Sequence, residues 1–292
     1  MTAPALARAT SYGRLYSRPG VEEDRLADVS SALDAGLLMP SVTNVIDTLG
    51  KPFLASWQAR EAAAAAVEVA AAYPGLIEGR PGRAKAWIAG AADRKAAAAA
   101  ALGDEVHQIV EARVLGRPHE VSSEAAPFIA AWETFVADTG IEFVHVEATG
   151  FGAVADVATG RQLPYAGTAD FVGRIGGRLV VGDWKTSKSI HTEAALQCAA
   201  LAHCAELAVV DEAAGTWSMQ RMPAVESALV VHLTRSGYRL WPAVTDGRAW
   251  EIFSRLRGVW EFHQENLASR GPLLFGEPSG AVSRPAGTSE AA

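Results

Sequence analysis

The stretch YAGTADFVGRIGGRLVVGDWKTSKS (165–189) contains the clearest structural signal in the sequence. Its two apolar runs are separated by Gly176-Gly177, and a Gly-Gly pair is typical of a tight hairpin turn. The stretch therefore predicts two neighbouring antiparallel strands within a sheet.

Charged residues interrupt both strands of this hairpin. Side chains alternate between the two faces of a strand, so Asp183 and Lys185 point to one face and Trp184 to the other. Asp170, on the first strand, can approach Asp183 across the hairpin. Two close carboxylates repel unless a cation lies between them, and Mg²⁺ prefers oxygen ligands. On this pattern alone, a surface ion pair between Asp183 and Lys185 is the favoured alternative to a metal site.

The patterns on either side of the hairpin predict the fold class. Alanine-rich helical sequence precedes it, with Ser41 as a helix cap, Pro52 opening a helix and a break expected at Gly103. The order predicts an α/β (α+β) fold with a central mixed sheet flanked by helices. The remaining segments are strands at 141–150 and 151–159, a helix at 191–210, strands at 226–234 and 237–244, and a helix at 246–268.

Four regions follow from these patterns. We expect an N-terminal arm (1–40), a helical region packed on the core (41–139), the core itself (140–269) and a disordered tail (270–292). The chain lacks a strict βαβ alternation and a Gly-x-Gly-x-x-Gly motif after a first strand, which argues against a dinucleotide-binding fold.

Composition restricts the function classes. The chain has 292 residues, and its 33 acidic and 26 basic residues give a net charge of -7, which argues against a simple nucleic-acid coat protein. Its two cysteines exclude a disulfide framework and a four-cysteine zinc or iron–sulfur site within the chain. The sequence contains no signal-peptide pattern and no uncharged run long enough to span a bilayer. We therefore expect a cytoplasmic protein without membrane association.

The charged motifs resemble a known nuclease signature. GTAD (167–170) and DWK (183–185) are similar to the Gly-x-x-Asp and Asp-x-Lys motifs of the PD-(D/E)XK nuclease superfamily. The RecB-like branch, which includes phage and bacterial exonucleases, is similar in three further pieces. The resemblance covers roughly residues 40–265. Within this range, residues 41–61 resemble the N-terminal part of phage exonucleases of this type. The three further pieces are GDEVH ending at His107, the strand that carries Glu147, and the helix that carries Gln197.

The resemblance implies a restriction-endonuclease-like core and a metal-dependent DNA exonuclease. Such an enzyme hydrolyses phosphodiester bonds in DNA replication, recombination or repair, here in the cytoplasm of a bacterial host cell. Its implied cofactor is Mg²⁺ or Mn²⁺, with no iron–sulfur cluster. The implied metal ligands are His107, Asp170, Asp183 and the backbone carbonyl of Trp184.

The resemblance also implies the roles of three catalytic residues. Lys185 would orient or activate the attacking water, and Gln197 would support the site or touch DNA. Glu147 would bind a second metal or sit behind the ligands. A half-exposed helix histidine is the alternative for His107, and a plain helix-surface residue is the alternative for Gln197.

The implied partner is DNA, at single-stranded or double-stranded ends. Thr186, Ser187 and Lys188 follow the catalytic lysine, and hydroxyls and an ammonium at the start of a helix suit phosphate contacts. Arg174 flanks the hairpin and is a further candidate. The resemblance is also compatible with a homo-oligomer or a recombination partner protein. Trp57 is a candidate for base stacking, although a core position is the alternative.

Two departures from the family pattern keep other functions open. Leu201 stands where the family usually has tyrosine, and Asp104 replaces the usual threonine. Leu201 supports the alternative of a non-catalytic DNA- or protein-binding module on the same fold. A structure-specific endonuclease is the other alternative.

Overall fold

The computed structural model describes residues 5–157, 159–211, 215–245 and 247–267. Within these ranges it contains two sheets and nine α-helices. The strands are β1 (Ala7–Thr10), β2 (Gly13–Ser17), β3 (Leu38–Pro40), β4 (Glu142–Ala155), β5 (Gln162–Ile175), β6 (Arg178–Lys185), β7 (Glu206–Asp211), β8 (Thr216–Arg221), β9 (Ser227–Thr234) and β10 (Gly237–Ala243). The helices are α1 (Val29–Asp34), α2 (Val42–Ile46), α3 (Pro52–Ala72), α4 (Pro74–Gly79), α5 (Pro81–Ala89), α6 (Ala91–Val114), α7 (Ala126–Thr139), α8 (Thr192–Ala202) and α9 (Arg248–Leu267).

The central sheet confirms the predicted fold class. It has seven strands in the order β10-β9-β6-β5-β4-β7-β8, and only the β6–β9 pair among them is parallel. The result is a mixed sheet flanked by helices, consistent with a restriction-endonuclease-like fold. The β5–β6 hairpin lies at its centre, and its turn residues Gly176 and Gly177 both have positive φ, as a type I′ turn requires.

Helices cover both faces of this sheet. On one face, α6 and α7 pack against a cluster that includes Phe135, Phe171 and Trp184. On the other, α8 packs against residues that include Val181 and Val230. Because β5 and β6 are buried on both sides, a charged residue in them lies inside the protein unless a cavity reaches it.

The region before α2 has more regular structure than an irregular arm. Strands β1, β2 and β3 form a small antiparallel sheet, and Leu15 and Tyr16 of β2 are buried. Ser41 caps α2, since its hydroxyl accepts a hydrogen bond from the Asn44 backbone N–H, and Pro52 opens α3, both as predicted. The tail at 270–292 lies outside the described residues.

Three local predictions were wrong. The helix expected at 191–210 ends at Ala202, and Glu206–Asp211 forms β7, which pairs with β4 and with the unpredicted β8. The two strands expected at 141–159 are one strand, β4. The break expected at Gly103 is absent, because α6 continues through this glycine. A Cβ there would lie 3.4 Å from the Thr186 hydroxyl, an ordinary contact distance, so α6 passes close to the segment after β6.

None of the described helices combines the length and the apolar character that crossing a membrane requires.

Candidate active site

Three neighbouring strands place three carboxylates in one row. Phe171 of β5 pairs with Gly182 of β6, and one residue further from the turn stand Asp170 and Asp183. On the other side of β5, Glu147 of β4 lies across from Asp170, between two residue pairs of the β4–β5 ladder. Asp170 therefore has a carboxylate neighbour on either side. The approach of Asp183 was expected from the hairpin.

The opposite face of β6 fixes the direction of these side chains. The ring of Phe171 lies over Gly182, where an added Cβ would be 1.8 Å from the ring carbon Cζ. This allows Phe171 to stack on Trp184 at a centroid distance of 4.3 Å. The Trp184 indole is 2% exposed, in the core as expected. Because Trp184 points into the core, Asp183 and Lys185 must point to the other face.

His107 of α6 joins the row of carboxylates. Its Nδ1 lies 3.4 Å from Asp170 Oδ1, and its Nε2 lies 3.2 Å from the Trp184 carbonyl oxygen. The expected ligand groups His107, Asp170 and the Trp184 carbonyl are thus adjacent. Burial acts to lower the pKa of His107, but the hydrogen bond and charge of Asp170, with the charge of Asp183, raise it to about 9.

Glu147 has a strained backbone. Its φ of +50° makes it the one non-glycine residue with positive φ in the described part of the chain. Such a conformation costs on the order of 1–3 kcal/mol and is concentrated at functional sites. Ligand atoms of Glu147, His107 and Asp170 all lie within 4.8 Å of one another. Burial and the charge of Asp170 raise the pKa of Glu147 to about 8.

Asp183, Lys185 and Gln197 form a closed triangle of contacts. Asp183 Oδ2 lies 2.5 Å from Lys185 Nζ, and Gln197 donates from Nε2 to Asp183 Oδ1 at 2.8 Å. Lys185 also donates to Gln197 Oε1 at 3.3 Å. Asp183 is 1% exposed, and burial raises its pKa although the charge of Lys185 acts to lower it. Burial acts to lower the pKa of Lys185, but Asp183 and Asp170 raise it, so the ammonium keeps its proton at neutral pH.

These residues share one cavity of about 450 Å³. Arg14 and Tyr16 of β2 and Thr43 of α2 complete its wall. Leu201 of α8 also lines it and packs closely against the position of Gly167, where an added Cβ would lie 3.2 Å from Leu201 Cδ2. The small N-terminal sheet therefore contributes to the site, which the sequence did not indicate.

The donor set fits a divalent cation. Asp183 Oδ2 is buried against the Lys185 ammonium, and no other described group donates to it. Burial raises the pKa of both Glu147 and Asp183, and a bound cation would favour their charged forms. Carboxylate and carbonyl oxygens are the ligands that Mg²⁺ and Mn²⁺ prefer. The nearest group of three is His107, Glu147 and Asp170.

The predicted phosphate-binding segment is not a helix start. Helix α8 begins at Thr192, so Thr186, Ser187 and Lys188 lie in a loop and do not share its N-terminal dipole. The Ser187 hydroxyl donates to the Ser189 carbonyl. A helix dipole therefore cannot support phosphate binding by this segment. The loop does directly follow Lys185, the last residue of β6.

Arg174 lies at the far end of the hairpin. It donates to the carbonyl of Gly177 in the turn at 3.2 Å. Four residues along the strand separate it from Asp170, which corresponds to about 13 Å. Its proposed role in DNA binding therefore concerns a surface remote from the cavity.

The sequence did not identify two features next to the site. His232 of β9 is buried, and its Nε2 lies 2.7 Å from the Ser187 carbonyl, where it anchors the loop after β6. Phe53 of α3 stacks on His191, with ring centroids 5.6 Å apart and planes 8° from parallel. No local spacing identifies either contact, because the partners are 45 and more than a hundred residues apart.

Comparisons with known proteins identify no close relative. No family model matches the chain, and no curated protein sequence matches it. Among solved structures, "Crystal structure of SSO0001" is 15% identical with a TM-score of 0.32, and the match covers 47% of this chain and 57% of that one. An alkaline exonuclease from Laribacter hongkongensis (LHK-Exo) is 12% identical with a TM-score of 0.26, and the match covers 58% of this chain and 86% of that one.

Proposed function

We propose that this protein is a Mg²⁺- or Mn²⁺-dependent DNA nuclease, and an exonuclease rather than an endonuclease. The single observation that carries the proposal is the row of Glu147, Asp170 and Asp183 with Lys185 beside it on the same face of the sheet. A surface ion pair does not account for this arrangement, because Asp183 is almost completely buried and a third carboxylate, Glu147, stands in the same row.

The residues of the row would hold the metal. The donors are the carboxylates of Glu147, Asp170 and Asp183, the imidazole of His107 and the Trp184 carbonyl. When bound, a divalent cation supplies Lewis-acid polarisation of the scissile phosphate and lowers the pKa of water. A neutral imidazole is required for ligation, so metal binding would displace the proton that His107 holds between the carboxylates.

Lys185 would act on the nucleophile and on the developing charge. Its ammonium has three N–H groups, and one is left beyond the contacts with Asp183 and Gln197. A positive group fixed in a buried position stabilises charge on a phosphoryl oxygen more strongly than one in water. Gln197 would be a positioning residue, because its amide holds both Asp183 and Lys185.

One assay tests the proposal. End-labelled linear single-stranded and double-stranded DNA, with closed circles as the control, are incubated with Mg²⁺, Mn²⁺ or EDTA. We expect metal-dependent loss of linear DNA that Asp183→Ala or Lys185→Ala removes, with closed circles protected. Linear DNA of both kinds left intact with both metals would overturn the proposal.

The same assay separates the two alternatives. Discrete fragments from closed circles would identify an endonuclease. Binding of DNA without cleavage, unchanged by Asp170→Asn, would identify a non-catalytic binding module, which Leu201 in the place of the family tyrosine would favour.

A further inference from the structure

A second cavity, of about 220 Å³, lies directly beside the catalytic one. The two share Lys185 and Gln197 as walls. Most of the surface that faces the second cavity is apolar and includes Ile46, Phe53 and Ile190, while the charged residues Asp47, Lys51 and Glu193 also line it. Its volume is below the 300–1,000 Å³ usual for a small-molecule pocket, so it suits one planar group and not a whole nucleotide.

Two parallel rings form one wall of this cavity. Phe53 stands in the first turn of α3 and His191 is the residue before α8, and their planes are 8° from parallel. Phe53 is 50% exposed, so part of its ring is open to solvent. A flat aromatic surface that is left open to solvent is suited to stacking a further planar ring.

The rest of α3 continues this surface away from the catalytic cavity. Trp57 lies one helical turn after Phe53, on the same face, and hydrogen-bonds to Glu61. Phe53, on this face, stacks on His191 at the end of the loop after β6. This face of α3 is therefore directed at the segment that leads out of the catalytic site.

We infer that the cavity lined by Phe53 and His191 binds an unpaired nucleobase of the DNA strand, next to the phosphate that is cleaved. The inference rests on the proposed nuclease function, since that function places a phosphate beside Lys185. An internal base of a duplex is covered on both faces, and a terminal base remains joined to its partner in a base pair that is too large for a cavity of about 220 Å³, so the cavity admits only an unpaired base. The site therefore selects single-stranded ends.

Binding of a 5′-fluorescein oligonucleotide in EDTA tests this without cleavage. Phe53→Leu removes the ring and keeps the apolar volume, and Phe53→Tyr keeps the ring. Phe262→Leu is the matched control, because Phe262 is also a partly exposed phenylalanine beside a histidine, on α9. We expect Phe53→Leu to weaken single-strand binding about 5- to 150-fold, the range for loss of one stacked base, and the other two variants to bind as wild type.

An abasic scan identifies the base that is bound. One abasic position, moved along the oligonucleotide from each end, should weaken wild-type binding by a similar factor at a single position. At that position the abasic change should weaken binding by the Phe53→Leu variant only slightly, because the ring on which the base would stack is already absent. Equal abasic effects in both proteins at every position would overturn the inference, as would an equal Phe53→Leu effect on blunt duplex ends.

Failure of this inference and failure of the nuclease proposal give different results. Wild-type cleavage with Mn²⁺, combined with abasic effects that do not depend on Phe53, refutes the base site and leaves the nuclease standing. Coupling between Phe53 and one base without cleavage by any metal refutes the nuclease and leaves the base site standing.

Discussion

The carboxylate of Asp170 accepts a 2.6 Å hydrogen bond from the backbone N–H of Trp184. This bond joins β5 to β6 beyond the last regular residue pair and fixes the Asp170 side chain between the strands. It uses Oδ2 and leaves Oδ1 directed at His107. The carbonyl of Trp184 in turn contacts His107. The Trp184 backbone and the His107 ring therefore position one carboxylate oxygen of Asp170 each.

Asp170→Asn should remove metal binding without unfolding the protein. An amide oxygen can still accept the Trp184 hydrogen bond, but the charge is lost. Mn²⁺ at 100 times its Kd should raise the unfolding free energy of the wild type by about 2.7 kcal/mol and leave the variant unchanged. Thermal unfolding with and without Mn²⁺ measures this, with Glu133→Gln on α7 as the control for a surface carboxylate. An equal Mn²⁺ response in the Asp170→Asn variant contradicts the ligand assignment.

Lys185→Met should reduce cleavage about 10²- to 10³-fold and leave metal binding in place. The substitution keeps an unbranched side chain of most of the length but removes the ammonium that lies against Asp183. Initial rates of nucleotide release, together with Mn²⁺-dependent thermal stabilisation, separate the two effects. Loss of the Mn²⁺ response would show that Lys185 acts by holding Asp183 and not on the reacting phosphate.

Gly182→Ala should lower the free energy of unfolding by about 1–3 kcal/mol, the usual cost of overpacking. The new methyl group would overlap the Phe171 ring and displace it from Trp184. Urea-induced unfolding measures the loss. Gly258→Ala on α9 is the control, because the space around that helical glycine is open and alanine favours helix. Equal stability of the two variants would remove the packing argument for the direction of Asp183.

Glu261→Gln should destabilise the protein at neutral pH but not in acid. Burial acts to raise the pKa of Glu261, but Arg257 and Arg161 lower it below the ordinary 4.5. The stabilisation is therefore present above pH 4.5 and is lost as the pH falls through the lowered value. We expect a loss of about 3 kcal/mol at pH 7, since Arg257 is buried.

The control for this experiment is on the same helix. The Arg255–Glu251 pair of α9 has the same spacing but is exposed, so Glu251→Gln should change stability by less than about 0.5 kcal/mol. Chemical denaturation from pH 7 to pH 3 compares the two variants. A difference between Glu261→Gln and wild type that does not shrink as the pH falls from 7 to 3 would contradict the electrostatic explanation.

The hairpin and its two aspartates were predictable because every signal for them is local. The Gly-Gly turn, the alternation of apolar residues and the distance of Asp170 and Asp183 from the turn all lie within 25 residues. The helix expected over 191–210 was wrong for the opposite reason. Its second half becomes β7 because it pairs with β4, more than fifty residues away, and this pairing outweighs local helix propensity.

The sequence by itself determined which chemical groups stand near the centre of the sheet, because hairpin register and strand alternation follow from the order of residues. The directions of these side chains depend on how distant helices and strands pack together. The φ of +50° at Glu147, the triangle of Asp183, Lys185 and Gln197, and the stacking of Phe53 on His191 each depend on elements distant in the chain. Packing of those elements sets distances and burial, and therefore charge, which no local pattern contains.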